Sequence, residues 1–127
     1  MPATILVLED DPALQELLCD VLQDEGHQVV AASTLPALLD RLPSRPDLLI
    51  SDIMVDLQPV GLAAIDAVRS AYAQQVPAIL CTAALTHVER YREEIERLEA
   101  VVLAKPFSID GLLQAVENAL SPKPLCA

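Results

Sequence analysis

Four apolar runs, each closed by polar residues, constrain what this chain can fold into more than anything else in it. Ile5-Leu6-Val7-Leu8 runs into Glu9-Asp10-Asp11, Ala78-Ile79-Leu80-Cys81 into Thr82, and Val101-Val102-Leu103-Ala104 into Lys105-Pro106. Leu48-Leu49-Ile50 reaches Asp52 with only Ser51 between. None of these runs alternates apolar with polar, the pattern of a strand buried on both faces. Strands of that kind belong to parallel sheets covered by helices, and their polar ends meet at one edge. That edge is where open α/β folds place their sites.

The intervening stretches supply the helices. Thr4–Leu8 reads as a first strand. Asp11-Pro12 then opens a helix, a capping side chain followed by proline in the first turn. Leu14, Leu17, Leu18, Val21 and Leu22 form its apolar stripe, and Gly26 ends it. His27–Ala32 is a second strand. Ser33 or Thr34 caps a second helix through Leu42, with Pro36 in its first turn, and Pro43 and Pro46 bound the next loop. Asp47–Asp52 is the third strand, followed by a loop holding Pro59 and Gly61. Leu62–Ala73 is a third helix with Leu62, Ile65 and Val68 on one face. Pro77–Thr82 is the fourth strand, Thr86–Leu98 a strongly charged helix and Ala100–Ala104 the fifth strand. Ser108 caps a last helix through Leu120, with Ile109, Leu112, Leu113, Val116 and Leu120 inward. The expectation is an α/β chain of right-handed βαβ units.

With 127 residues there is room for one core and no second folded module. Aromatics are only 2% of the chain, so the core is built from Leu, Val, Ile and Ala. The net charge of -11 would repel a phosphate backbone, which argues against direct contact with nucleic acid. Ser70–Val88 carries no charged residue, but Gln74-Gln75 and Pro77 interrupt it, so it reads as a helix end and a strand rather than a membrane span. No basic, apolar leader is present, and Cys19, Cys81 and Cys126 are odd in number and widely spaced. A reduced, cytoplasmic setting is the expectation.

Carboxylates, a hydroxyl and an ammonium at one sheet edge suit the holding of a divalent metal beside a phosphorylated carboxylate. Taken singly, each group has an ordinary structural role: Asp11-Pro12 as a helix start, Asp52 as a loop acid, Thr82 as a strand end, Lys105 as a surface charge. Taken together, Ile5 to Asp11, Pro46 to Asp52, Ala78 to Ala83 and Leu103 to Phe107 resemble the response regulator receiver domain of two-component signalling. The resemblance runs from Ile5 to Leu120. It implies a receiver domain over 1–121, with 122–127 as a tail. The implied fold is a single doubly wound (βα)5 domain with the flavodoxin-like strand order 2-1-3-4-5.

By that resemblance Asp52 is the phosphoacceptor, Thr82 the hydroxyl that turns to a phosphoryl oxygen, and Lys105 the cation paired with the phosphoryl group or with Asp52. Glu9, Asp10 and Asp52, with the backbone carbonyl of Met54, would hold Mg²⁺, Glu9 through water. Lys105-Pro106 matches a bond that is often cis in the family. The implied function is that of a stand-alone switch, not an enzyme. A histidine kinase or phosphotransfer protein phosphorylates Asp52, and contact with a downstream protein effector changes. No contact with membrane or nucleic acid is expected, and the chain is expected to be a monomer or weak dimer.

The chain departs from the family pattern near the site. Asp56 stands where proline is common, four residues after Asp52, and Gly61 falls about one residue late. Val102 occupies a position, three before Lys105, that is often aromatic and rotates on phosphorylation; an aliphatic side chain offers no ring to turn. These departures motivate the alternative, a receiver-like interaction module that works without phosphorylation. A flavin or small-molecule enzyme on the same fold finds little support, with Tyr72, Tyr91 and Phe107 the only rings.

Overall fold

The apolar runs form a parallel sheet. In the computed structural model, which describes residues 2–55 and 57–121, β1 (Thr4–Leu8) pairs with β2 (Gln28–Ala32) on one side and β3 (Leu48–Asp52) on the other. β4 (Ala78–Thr82) lies beyond β3, and β5 (Val101–Ala104) closes the far edge. The order is β2-β1-β3-β4-β5, all parallel. Helices cover both faces, giving the doubly wound, flavodoxin-like arrangement expected from the sequence.

Alternation along the buried strands divides the core in two. Leu6, Leu8, Leu49 and Leu80 pack with Leu38 of α2 (Leu35–Leu39) and with Leu62, Ile65 and Val68 of α3 (Val60–Tyr72). Ile5, Val7, Ile50 and Ile79 point the other way. They meet Leu18 and Leu22 of α1 (Pro12–Asp24) and Leu112 and Val116 of the C-terminal helix. Each fully buried Leu or Ile contributes about 1.5–3 kcal/mol. Both layers press on the sheet, so the strands can be apolar at every position. The edge strands are less covered, and Val101 on β5 is 50% exposed.

The helices begin at the expected caps. Asp11 accepts from the Ala13 N–H at 3.0 Å ahead of Pro12. Thr34, rather than Ser33, accepts from the Ala37 N–H at 3.2 Å. Ser108 accepts from the Gly111 N–H at 2.9 Å.

Five expectations need correction. α2 stops at Leu39, short of Leu42, because its last turn tightens: the Arg41 N–H reaches back to the Leu38 carbonyl at 3.0 Å. α3 starts at Val60, so Gly61 lies inside its first turn and not in the loop. The single charged helix expected over Thr86–Leu98 is two, α4 (Leu85–Arg90) and α5 (Arg92–Arg97), divided at Tyr91. In α6 (Ile109–Leu120), Leu112 and Val116 are buried, but Ile109 is 51% exposed. As the first helical residue it projects back beyond the covered part of the sheet. Leu17 in the α1 stripe is likewise 43% exposed, whereas Leu18 and Leu22, which follow it, are buried.

Cys81 is buried and Cys19 half-buried, both as free thiols. Asp56, Cys126 and the tail over 122–127 lie outside the described residues. Among the described residues, no helix is long and apolar enough to cross a membrane.

Candidate functional site

The parallel register carries the polar residues that end β3 and β4 or directly follow β1 and β5 to the same edge of the sheet. Asp52 pairs with Cys81 and Thr82 with Ala104, and the Lys105 N–H donates to the Thr82 carbonyl at 2.7 Å. Lys105 reaches across this edge. Its Nζ donates to Asp52 Oδ2 at 2.8 Å and to Glu9 Oε1 at 3.1 Å. Residues 96 positions apart in sequence are thus joined by one ammonium. The peptide bond between Lys105 and Pro106 is cis.

Glu9 is the most enclosed of these groups, with its side chain 3% exposed; those of Asp52 and Lys105 are 17% and 18% exposed. Burial pushes the Glu9 carboxyl above the usual carboxylate range, opposed by hydrogen bonds from the Asp11 N–H and Lys105. For Lys105 burial works against the charge. The hydrogen bonds to Asp52 and Glu9 outweigh it and hold the ammonium above the ordinary lysine value. The remaining oxygens also have partners: Glu9 Oε2 accepts from the Asp11 N–H at 3.1 Å, and Asp52 Oδ1 from the Met54 N–H at 3.2 Å.

Asp10 is exposed beside this cluster. Among the described residues, no three acidic, histidine or cysteine side chains gather closely enough to hold a metal by themselves. The donors are all oxygen. Glu9 and Asp52 are within reach of one ammonium, the Glu9 carboxyl is poorly solvated, and the Met54 backbone adjoins Asp52. That set fits a hard cation that takes few protein oxygens and keeps several waters, as Mg²⁺ does.

Thr82 is brought to the same edge, but its hydroxyl faces the loop after β4. Its Oγ1 accepts from the Ala84 N–H at 3.1 Å and lies 3.3 Å from the Ala84 carbonyl. Thr82 as a whole residue is buried, 2% exposed. Val102 is half-buried against the core on β5.

Two supporting residues were not legible as such. Gln15 Nε2 donates to the Glu9 carbonyl at 2.9 Å and to Ser33 Oγ at 3.3 Å, tying the acidic loop to α1 and to the turn after β2. Its spacing from Asp11 carries no signal for this. Gly61 lies against the phosphoacceptor candidate: a Cβ there would sit 2.1 Å from the Asp52 carbonyl oxygen. Its N–H donates to the Ile53 carbonyl at 3.0 Å. With Gly61 expected in the loop, a glycine there read as ordinary turn chemistry and gave no sign of this close approach. The short loop between Asp52 and α3 includes Leu57, 88% exposed and at a φ of 62°.

The family model for the response regulator receiver domain matches residues 5–117. The response regulator protein FleR of Pseudomonas aeruginosa is 36% identical over 98% of this chain, and the match spans 26% of FleR. The phosphate regulon transcriptional regulatory protein PhoB of Klebsiella pneumoniae is 32% identical over 96% of this chain and 55% of its own length. The chain therefore spans from about a quarter to about half the length of these two curated relatives. Among solved structures, the chemotaxis response regulator CheY4 of Vibrio cholerae superposes with a TM-score of 0.78 at 28% identity, covering 94% of this chain and 100% of its own. NtrX of Brucella abortus superposes with a TM-score of 0.81 at 29% identity, covering 94% of this chain and 27% of its own.

Proposed function

Since the chain belongs to the response regulator receiver family, we propose that Asp52 is its phosphoacceptor and that a phosphorylated protein histidine is the donor. The observation that carries this reading is the ammonium of Lys105 placed against Asp52 Oδ2, with buried Glu9 on its other side. A carboxylate oxygen of Asp52 attacks phosphorus. The new P–O bond forms as the P–N bond to the donor imidazole breaks, and the electron pair returns to the ring. Lys105 compensates charge on the transferring group's oxygens. The Met54 N–H, bonded to the Asp52 carboxylate, and the Gly61 N–H, bonded to the Ile53 carbonyl, keep the Asp52 side chain and the adjoining main chain oriented.

Glu9, Asp10, Asp52 and the Met54 carbonyl would hold Mg²⁺, with water completing its shell. When bound, the ion shields the negative charge of the incoming phosphoryl group from the carboxylates. Thr82 then exchanges its contact with Ala84 for a phosphoryl oxygen, and the loop after β4 reports the change. Receiver domains are signalling modules, and we read the output here as altered contact with a protein effector in the cytoplasm. A histidine kinase or phosphotransfer protein supplies the phosphoryl group.

Intact mass after acetyl phosphate treatment tests this, with and without Mg²⁺, on the wild type and Asp52→Asn. One Mg²⁺-dependent phosphoryl adduct is expected on the wild type and none on the variant. An adduct persisting in Asp52→Asn at equal yield would move the site elsewhere.

A further inference from the structure

Gln15 stands in the first turn of α1, its own N–H bonded to the Asp11 carbonyl at 2.9 Å. Side chains on a helix lean toward its N-terminal end. Gln15 therefore reaches back past the start of α1 to the acidic loop. There its Nε2 donates to the Glu9 carbonyl at 2.9 Å and to Ser33 Oγ at 3.3 Å. Only the NH2 end of a side-chain amide can bond a carbonyl, so this contact fixes which way the group is turned. Both of its hydrogens then have acceptors, one after β1 and one after β2.

The carbonyl it holds belongs to the peptide between Glu9 and Asp10. That peptide is a rigid plane, and its orientation sets how both side chains leave the main chain. Glu9 is held from the other direction by its own N–H, which donates to the Ala32 carbonyl at 3.1 Å. Ala32 is buried at the end of β2, and Ser33 follows it. Glu9 is thus tied to the end of β2 twice, once through the main chain and once through Gln15. A neutral amide suits this place. A glutamate has no hydrogen to give the carbonyl, and a lysine or arginine would set a further cation against the ion assigned to Glu9 and Asp10.

We propose that Gln15 is a positioning residue for the metal, clamping the Glu9–Asp10 peptide against Ser33 and so strengthening Mg²⁺ binding without touching the ion. This rests on the reading of Glu9, Asp10 and Asp52 as Mg²⁺ ligands. The Glu9 side chain is enclosed and Asp10 is exposed, so one peptide has to direct two carboxylates into different surroundings. Without the amide that peptide turns more freely, and binding the ion has to order it. Groups that orient ligands from outside the ligand set act on affinity in this way.

Calorimetric titration of the full chain with Mg²⁺ alone tests this, beside urea denaturation of the same samples. Gln15→Met keeps the length of the side chain and removes the donor. Its Mg²⁺ dissociation constant is expected to be about three- to tenfold higher, the equivalent of one hydrogen bond. Gln23→Met makes the same chemical change at an exposed position further along α1 and is expected to bind as the wild type does. Equal affinity in the wild type and Gln15→Met would overturn the proposal. So would an equal loss in Gln23→Met, which would make the effect one of helix stability. Ser33→Ala is expected to weaken binding about twofold by itself and not at all when added to Gln15→Met, because both act through one amide. A further loss in the double variant would overturn the clamp against Ser33. Should Gln15→Met fail to fold, Ser33→Ala at its exposed position decides, and unchanged affinity there overturns the proposal. No Mg²⁺ binding by the wild type would instead remove the metal reading, and the role of Gln15 with it.

Discussion

Lys105 Nζ lies 2.8 Å from Asp52 Oδ2, joining the end of β5 to the end of β3 across β4. The same nitrogen holds Glu9, so one cation balances two carboxylates that are largely shielded from water. Its removal should act on the chemistry more than on the fold. In Lys105→Met the phosphoryl adduct is expected to form about ten- to a hundredfold more slowly, the worth of one hydrogen bond to a charged group in the transition state. Time-resolved intact mass with acetyl phosphate and Mg²⁺ measures this. An unchanged rate would show that Lys105 only fixes the resting geometry.

Gly61 makes room for the Asp52 backbone. In Gly61→Ala the new Cβ would meet the Asp52 carbonyl oxygen at 2.1 Å and the Ile53 Cα at 3.0 Å, and neither is a flexible side chain. The β3 end or the start of α3 must shift. The expected loss of stability is about 1–3 kcal/mol, as for other overpacked sites. Urea denaturation reads it, and adduct formation is expected to slow in the folded fraction because Asp52 is displaced.

Ala73 ends α3 in the left-handed region, at φ 49° and ψ 42°, with its N–H bonded back to the Arg69 and Ser70 carbonyls. It is exposed and its methyl contributes no core packing. Ala73→Gly is expected to stabilise the chain by about 0.5–1 kcal/mol, because glycine takes this conformation without the Cβ penalty. A higher urea midpoint with an unchanged slope is the expected observation. No gain would mean that the added freedom of the unfolded chain cancels the relief.

Burial pushes the Cys81 thiol up to about 12, with the Lys105 charge opposing it. The thiolate is the reactive form, so at pH 8 Cys81 is expected to resist iodoacetamide in the native state and react after unfolding. Peptide mapping separates it from Cys19 and Cys126. The same shift sets a sign for stability. The folded state keeps this proton where the unfolded chain has lost it, so the contribution is full below the ordinary thiol value and is lost as pH rises toward about 12. Rapid native labelling of Cys81 at pH 8 would show that β4 opens locally.

Much of the site was legible because its parts stand at the ends of apolar runs. The strands that Asp52 and Thr82 end and that Glu9 and Lys105 follow were readable from burial on both faces, and parallel pairing leaves those ends one place to meet. The caps at Asp11 and Ser108 were equally plain, since a short polar side chain before an apolar stripe has a local role. The division at Tyr91 was not. Val88, Tyr91, Ile95 and Leu98 recur at helical spacing straight across it, and all pack on the same core. Periodicity reports which face is buried and is blind to a change of backbone direction within that face. Gln15 was hidden for a different reason: its partner is a backbone carbonyl, and main-chain acceptors leave no mark in sequence.

What the sequence determined by itself was the alternation of elements, the aliphatic core and the set of polar groups that reach one edge. These follow from local spacing and from the need to bury apolar runs on both sides. What only the tertiary structure decided was how those groups pair. Lys105 lies between Glu9 and Asp52, Thr82 is turned to Ala84, and Gly61 gives way to the Asp52 carbonyl. Each of these is a distance of a few ångströms between residues far apart in the chain. It is set by strand register and by the packing of helices on the sheet, and no local pattern encodes it.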